Sequence, residues 1–329
     1  MTKEHAEKKK PVLEKARDEA WKLLCEDAPA EEAVAKALRI MEESEYFNAG
    51  YGGYPNEKGI VLMDAGMMLG SREFASIVNV RRIKYPSAVL LDRLREGKTL
   101  MTVWTHEHMQ QIDTAPDEVK ERYGWVATHE ELVSPFVQEL LKKQREGELA
   151  VDSNLEDPKD DIAVFEPHDT VGCVARDFKD RLCAGTSTGG TGVKANGRVG
   201  DSPIIGAGLF ADNDICGLST SGHGESILLS VLSGFVIAEI RQKLRCDEEV
   251  FEKDSSLLNS ILEKELLEFK RKIPNRGAGI ILIPAKGRPA YAYNSKDFCV
   301  AVCAGSKERI DFKEAWAFDT PKYLEVQRD

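Results

Sequence analysis

Nowhere among these 329 residues do 18 consecutive apolar side chains occur, so no segment is long enough to cross a bilayer as a helix. Residues 1–20 also lack the apolar run of a secretion signal, and the expected location is the cytoplasm. A cysteine framework is missing too. Cys25, Cys173, Cys183, Cys216, Cys246, Cys299 and Cys303 show no CxxC and no regular spacing, so most are expected to be reduced thiols in the core. Positive charge is in deficit, with 45 Lys and Arg against 56 Asp and Glu, a net charge of −11 that argues against a phosphate backbone as the main ligand. The basic run Lys8, Lys9 and Lys10 reads as a solvated chain end. His106, Glu107 and His108 look like metal ligands but have no companion cluster, so the histidines are expected to be solvated or hydrogen-bonded and no metal centre follows.

Two nucleotide motifs are approached and missed. Gly185 to Thr191 has the spacing of a P-loop opening, with Thr191 where lysine must stand. Gly206, Gly208 and Ala211 mimic a dinucleotide fingerprint, but Asp212, Asn213 and Asp214 follow where its helix should run. No organic cofactor is expected.

What is present is a hydrophobic content of 42%, enough for one large core or two small ones. Helices are predicted over 10–26, 30–44, 86–95, 131–144, 225–244 and 257–272. Ala33, Val34, Ala37, Leu38 and Met41 carry helical spacing in the second of these. Strand character falls on 60–65, 75–80, 171–176, 182–187, 279–284, 289–293 and 298–303. Residues 147–161 are acidic, poor in large apolar side chains and contain Pro158, which makes them the best linker. Alternating groups of helices and strands imply an α+β chain with sheets covered by helices.

The richest stretch runs from His168 to Gly224, through HDTVG, TSTGG, GRVGDSP and SGHGE. A threonine hydroxyl is a weak nucleophile unless a base lies within reach, and the α-amine of a terminal threonine is one such base, with an ordinary pKa of about 7.7 to 8. Thr170 lies mid-chain and gains a free amine only if the bond between Asp169 and Thr170 is cut.

HDTVG, AGTSTGG and GRVGDSPIIGAG, in that order and spacing, resemble the asparaginase type 2 family of N-terminal-nucleophile hydrolases. Looser similarity reaches back to FNAGYGG and forward to AYAYNS. The resemblance implies a four-layer αββα sandwich in one structural domain, cut into an α fragment, 1–169, and a β fragment, 170–329. It implies Thr170 as the nucleophile and Thr188 as the threonine that contacts it and steers the proton. Arg198 and Asp201 then grip the α-carboxylate and α-ammonium of an aspartyl head group. Ser221, Gly222 and Gly224 stand where the family has Thr-Gly-x-Gly, the hydroxyl and backbone donors for an oxyanion, and His223 reads as a rim residue. Asn48 falls in a loop that in the family holds a structural sodium ion and whose Asn lies near the reacting centre, which with Ser221, Gly222 and Gly224 would make it a substrate-binding residue, although an Asn–Gly turn reads equally well. Taken alone, Thr170 could simply begin a strand, Thr188 a turn, and Arg198 with Asp201 a surface salt bridge.

The chain departs from the family at its start, where His5 is followed by Ala6 and Glu7 rather than by Gly-Gly at the end of a first strand. That strand is expected to be missing, leaving a sheet edge unpaired. The expected activity is hydrolysis of the β-amide of asparagine, β-aspartyl peptides or N4-substituted asparagine to release aspartate, by a homodimer of processed units. FNAG and TSTGG resemble the L-asparaginase/isoaspartyl peptidase branch, whereas GYGGYPNEKG, GAGLFADN and SGHGE resemble glycosylasparaginase. The alternatives are an unprocessed relative that keeps the fold as a binding scaffold and, more weakly, a threonine aspartase acting on proteins.

Overall fold

Buried positions His5, Ala6, Lys9, Leu13, Ala16, Ala20 and Leu24 recur every three or four residues and form one face of helix α1, Lys3–Cys25. The computed structural model describes residues 3–146, 149–151, 163–165, 170–295 and 298–316. Helix α1 therefore begins well before Lys10 and takes in Pro11. Packing of its first turn offsets the proline: the His5 ring lies 4.7 Å from Phe136, and His5 Nε2 is 3.1 Å from the Tyr46 carbonyl. The basic run is not simply a solvated end. Lys8 and Lys10 are exposed, but Lys9 is wholly buried, its ammonium 5.4 Å from the Phe47 ring.

Helix α2, Ala30–Glu43, follows, then strands β1, Met63–Leu69, and β2, Phe74–Val80, helix α3, Pro86–Arg95, and strand β3, Leu100–Val103. Helices α4, His106–Asp113, α5, Asp117–Tyr123, and α6, Pro135–Arg145, lead to the short strands β4, Leu149–Val151, and β5, Ala163–Phe165. β4 lies inside the stretch expected to be a linker and pairs in parallel with β5; the rest of 147–161 lies outside the described residues. Strands β6, Val171–Arg176, β7, Leu182–Thr188, β8, Leu209–Asp212, and β9, Cys216–Gly222, come next. They precede helices α7, Gly224–Ser230, α8, Leu232–Cys246, α9, Val250–Lys253, and α10, Ser255–Lys272. Strands β10, Ala278–Pro284, β11, Ala290–Tyr293, β12, Val300–Gly305, and β13, Ile310–Trp316, complete the order. The helix predicted over 225–244 is thus two, divided at Val231, whose φ of 54° ends one and caps the next. Strand β9 was not foreseen, since its serines, threonine and glycines read as loop.

The chain is a mixed α+β structure with several sheets. One sheet has the order β3-β2-β1-β7-β6 and another the order β11-β10-β9-β8. These two lie against each other through β6, β7, β9 and β10. Small residues allow the approach: a Cβ on Gly217 would come within 2.6 Å of Val174 Cγ1, and one on Gly172 within 2.1 Å of Ser219 Oγ. Helix α2 lies against β6 and β7 on the first sheet, while α8 and α10 lie against the second. Val34 and Leu38 of α2 and Ile77 and Val80 of β2 share one core; Leu262 and Phe269 of α10 and Ile280 and Leu282 of β10 share another. Strand β6 ends the first sheet, so its outer edge pairs with no strand among the described residues. The cysteines are less buried than expected: Cys183 and Cys216 are buried, Cys246 is exposed and the remaining four are half-buried, all as free thiols.

Candidate active site

Thr170 sits immediately before β6, partly buried, and its Oγ1 donates to Thr188 Oγ1 at 3.1 Å. The sheet brings the two together, because β6 pairs with β7 in a register that sets Val171 opposite Ser187. Thr188 Oγ1 accepts a second hydrogen bond, 3.0 Å long, from the Gly190 N–H. Two donors onto one oxygen direct the Thr188 proton away from Thr170, leaving Thr188 an acceptor for the Thr170 hydroxyl proton.

Asn48 is joined to the same corner. Its Nδ2 donates to the Gly190 carbonyl, its Oδ1 accepts from Tyr54 N at 2.9 Å, and its own carbonyl accepts from Gly189 N at 2.8 Å. The Asn48 side chain thereby joins the loop after β7, at Gly190, to the segment at Tyr54. A Cβ on Gly52 would lie 2.1 Å from the Phe47 carbonyl oxygen and 2.9 Å from those of Glu45 and Ser44. Three neutral carbonyls converging on one small cradle are a donor set suited to a hard monovalent cation. Among the described residues no group of three or more His, Cys, Asp or Glu side chains is placed to hold a metal ion. His108 contacts Thr105 and His106 contacts Gln110 by hydrogen bonds.

Ser221 is placed by the meeting of the two sheets. Gly217 lies against Val174 and Ser219 against Gly172. Alternate residues share a strand face, so Ser221 lies on the same face of β9 as Ser219, the face turned toward β6. Gly222 follows with φ 153°, and a Cβ there would come within 2.5 Å of the Gly277 carbonyl, so the strand can leave the sheet at this point only through glycine. Ser221 and Gly222 are thus the end of a strand rather than loop residues, and Gly224 is the first residue of α7. His223 caps that helix, accepting from Ser226 N at 3.3 Å through Nδ1.

Arg198 and Asp201 meet this corner from the other side. A Cβ on Gly224 would be 2.8 Å from Asp201 Oδ1 and 3.1 Å from Arg198 Nη2, and one on Gly190 would be 3.2 Å from Arg198 Nη1. Gly190 thus adjoins Thr188 through its N–H and also Arg198, while Arg198 and Asp201 both lie against Gly224, three residues beyond Ser221. Burial pushes the Asp201 carboxyl up to about 6, against its own backbone N–H, Thr220 and Arg198, which favour the anion. Thr220 Oγ1 lies 3.2 Å from Asp201 Oδ2 and 2.9 Å from the Ala207 carbonyl.

The sequence reading did not assign Glu225. It takes the Nε and Nη2 nitrogens of Arg198 at 2.7 and 2.6 Å, so one edge of the guanidinium is already filled and an incoming carboxylate is left the edge that carries Nη1. Partial burial opposes ionisation of Glu225, but the hydrogen bonds and charge of Arg198 outweigh it and hold the carboxyl down at about 2. Only its place three residues beyond Gly222 could have pointed to it. Asp169, the other half of the expected cleavage site, lies outside the described residues.

A family described as Asparaginase matches residues 1–310. The isoaspartyl peptidase/L-asparaginase of Bos taurus is 30% identical over 322 residues, 97% of this chain and 95% of the bovine one. The plant-type L-asparaginase of Pyrobaculum calidifontis is 34% identical over 81% of each chain. The N(4)-(beta-N-acetylglucosaminyl)-L-asparaginase of Elizabethkingia miricola is 32% identical over 69% of this chain and 61% of its own.

Proposed function

Because this chain belongs to the asparaginase family, we propose that it is an autoproteolytic amidohydrolase that cleaves the β-amide of asparagine, β-aspartyl peptides or N4-substituted asparagine and releases aspartate. The observation that supports this most directly is the hydrogen bond from Thr170 to Thr188 at the head of β6.

In the precursor, the Thr170 hydroxyl adds to the carbonyl carbon of Asp169, the amide C–N bond breaks, and the resulting ester is hydrolysed. The new α-amine then takes the hydroxyl proton during turnover. Thr170 oxygen adds to the β-amide carbon of substrate while Arg198 and Asp201 hold its α-carboxylate and α-ammonium. Ser221 and Gly222 meet the oxyanion, a contribution of about 3 to 4 kcal/mol per donor. The amine leaves with the transferred proton, and water then hydrolyses the aspartyl ester to free Thr170. Ser221 keeps the hydroxyl of the family's threonine without the methyl that restrains its rotamer.

The two facing sheets with helices outside them are read as a four-layer αββα sandwich, working in the cytoplasm as a dimer of processed units. The carbonyls of Ser44, Glu45 and Phe47 would hold a structural sodium ion, which supplies no chemistry beyond fixing the loop that carries Asn48. The substrate is a small molecule, and the charge balance disfavours nucleic acid. Among the described residues no helix is long and apolar enough to cross a membrane.

The deciding experiment is intact mass after incubation, N-terminal sequencing of any fragments, and aspartate release from asparagine, β-aspartyl dipeptides and glycosylated asparagine. A fragment beginning Thr170-Val171-Gly172 with aspartate release is the expected result. A permanently single chain that binds aspartate without hydrolysis identifies a scaffold instead.

A further inference from the structure

Lys194 and Asp64 are separated by 130 residues, yet their side chains meet at 3.3 Å with no solvent exposure on either. The ammonium also donates to the Leu62 carbonyl at 2.8 Å, and Asp64 Oδ1 accepts from Asn79 N at 2.9 Å. The pair therefore ties the loop after β7 to β1 and β2. A buried ion pair rarely stabilises more than an apolar pair of the same size, so its presence calls for another account.

Its position supplies one. Asp64 is directly opposite Thr188 in the β1–β7 register. Lys194 runs beneath Gly190, where a Cβ would come within 2.8 Å of the lysine Cδ and 3.0 Å of its Nζ. Gly190 is the residue whose N–H donates to Thr188 Oγ1, and a Cβ on it would be 3.2 Å from Arg198 Nη1. One buried cation thus lies under both the group that directs the Thr188 proton and the guanidinium of the head-group site. Thr186 fastens the far end of the same loop through its hydroxyl to the Ser202 carbonyl at 2.5 Å.

We infer that the Lys194–Asp64 pair is a positioning device that holds the Gly190 N–H on Thr188 and sets the place of Arg198, linking the nucleophile to the head-group site. What is positioned rests on the hydrolytic reading above; that the pair holds the loop does not. Neither residue touches substrate.

The test compares wild type with Lys194→Met, Asp64→Asn and the double variant. Each single change strands a buried charge and lowers the melting temperature sharply. The double variant removes both charges, keeps an acceptor for Asn79 N and melts close to wild type. It nevertheless loses at least about tenfold in kcat/KM for aspartate release, and its Gly190 amide exchanges with solvent at least about tenfold faster. A double variant with wild-type exchange and wild-type kcat/KM overturns the inference, since the pair is then structural only. Wild-type protein gives a second reading that needs no variant to fold: its Gly190 amide exchanges only through global unfolding, and exchange by local loop opening overturns the inference. Should wild type release no aspartate, the hydrolytic reading fails, and the exchange rates still decide the role of the pair.

Discussion

Gly172 lies so close to Ser219 across the two sheets that a Cβ on it would fall 2.1 Å from the serine oxygen. Gly172→Ala is expected to cost about 1 to 3 kcal/mol through overpacking, read as a lower melting temperature. Adding Ser219→Ala removes the oxygen and should recover most of the loss. An alanine at 172 that melts with wild type would show that the sheets are not packed this tightly.

Thr170→Ala should remain a single chain and lose aspartate release by about 10⁴-fold or more, because neither nucleophile nor base survives. Thr170→Ser keeps both and should retain part of the processing. Turnover in the alanine variant would remove Thr170 from the chemistry altogether.

Burial raises Asp201 to about 6 from an ordinary 3.8. Holding a substrate ammonium needs its anion, so kcat/KM should rise with pH through about 6 and the limb should vanish in Asp201→Asn. The stability effect has the opposite sense: the folded protein keeps this proton longer than the unfolded chain, so stability falls between pH 4 and 6 and is flat above. A pH profile unchanged by Asp201→Asn would count against its contact with substrate.

Glu225 has its folded-state carboxyl lowered from 4.5 to about 2 by Arg198. Its contribution is therefore complete above pH 4.5 and lost only as pH falls through about 2. Glu225→Gln should weaken the grip on Arg198 by about 1 kcal/mol, since the pair is partly solvated, and raise KM about fivefold by the same amount at pH 6 and at pH 9. A change in kcat alone would mean that Glu225 does not act through Arg198.

Glu42 is fully buried, with both carboxylate oxygens taken by Ser87 and the carboxyl pushed by burial to about 7. Raised from 4.5, it makes the protein less stable as pH climbs from 4.5 to 7, by up to about 3 kcal/mol. Glu42→Gln should flatten that slope in denaturant titrations at pH 5, 6 and 8. An identical slope in both proteins would assign the pH dependence elsewhere.

Elements with strong periodicity were legible in the sequence. Helix α3 over Pro86–Arg95 and strand β6 over Val171–Arg176 fall where they were predicted, because each has a clear apolar pattern and, for α3, a proline at its start. Strand β9 was not, since Gly217 and Ser219 are small to suit the narrow space between two sheets, and that demand is invisible without the second sheet. The break at Val231 is equally hidden, because a β-branched residue is among the least expected at positive φ. The motif residues around Thr170 and Arg198 were readable from their spacing. Glu225 and the Lys194–Asp64 pair were not, as their meaning is a contact across sequence distance rather than a pattern along it.

The order β3-β2-β1-β7-β6 has a further consequence for a chain cut before Thr170. β1 belongs to the first piece and β7 to the second, and six residue pairs from Asp64–Thr188 to Leu69–Cys183 join them in the middle of the sheet. The cut would therefore leave two strands zipped together rather than two bodies side by side. Dilution would not part them, but once unfolded the pieces must find one another again. Refolding would then slow in proportion to dilution, and a protein that recovers from heat as a precursor would, after maturing, recover poorly when dilute.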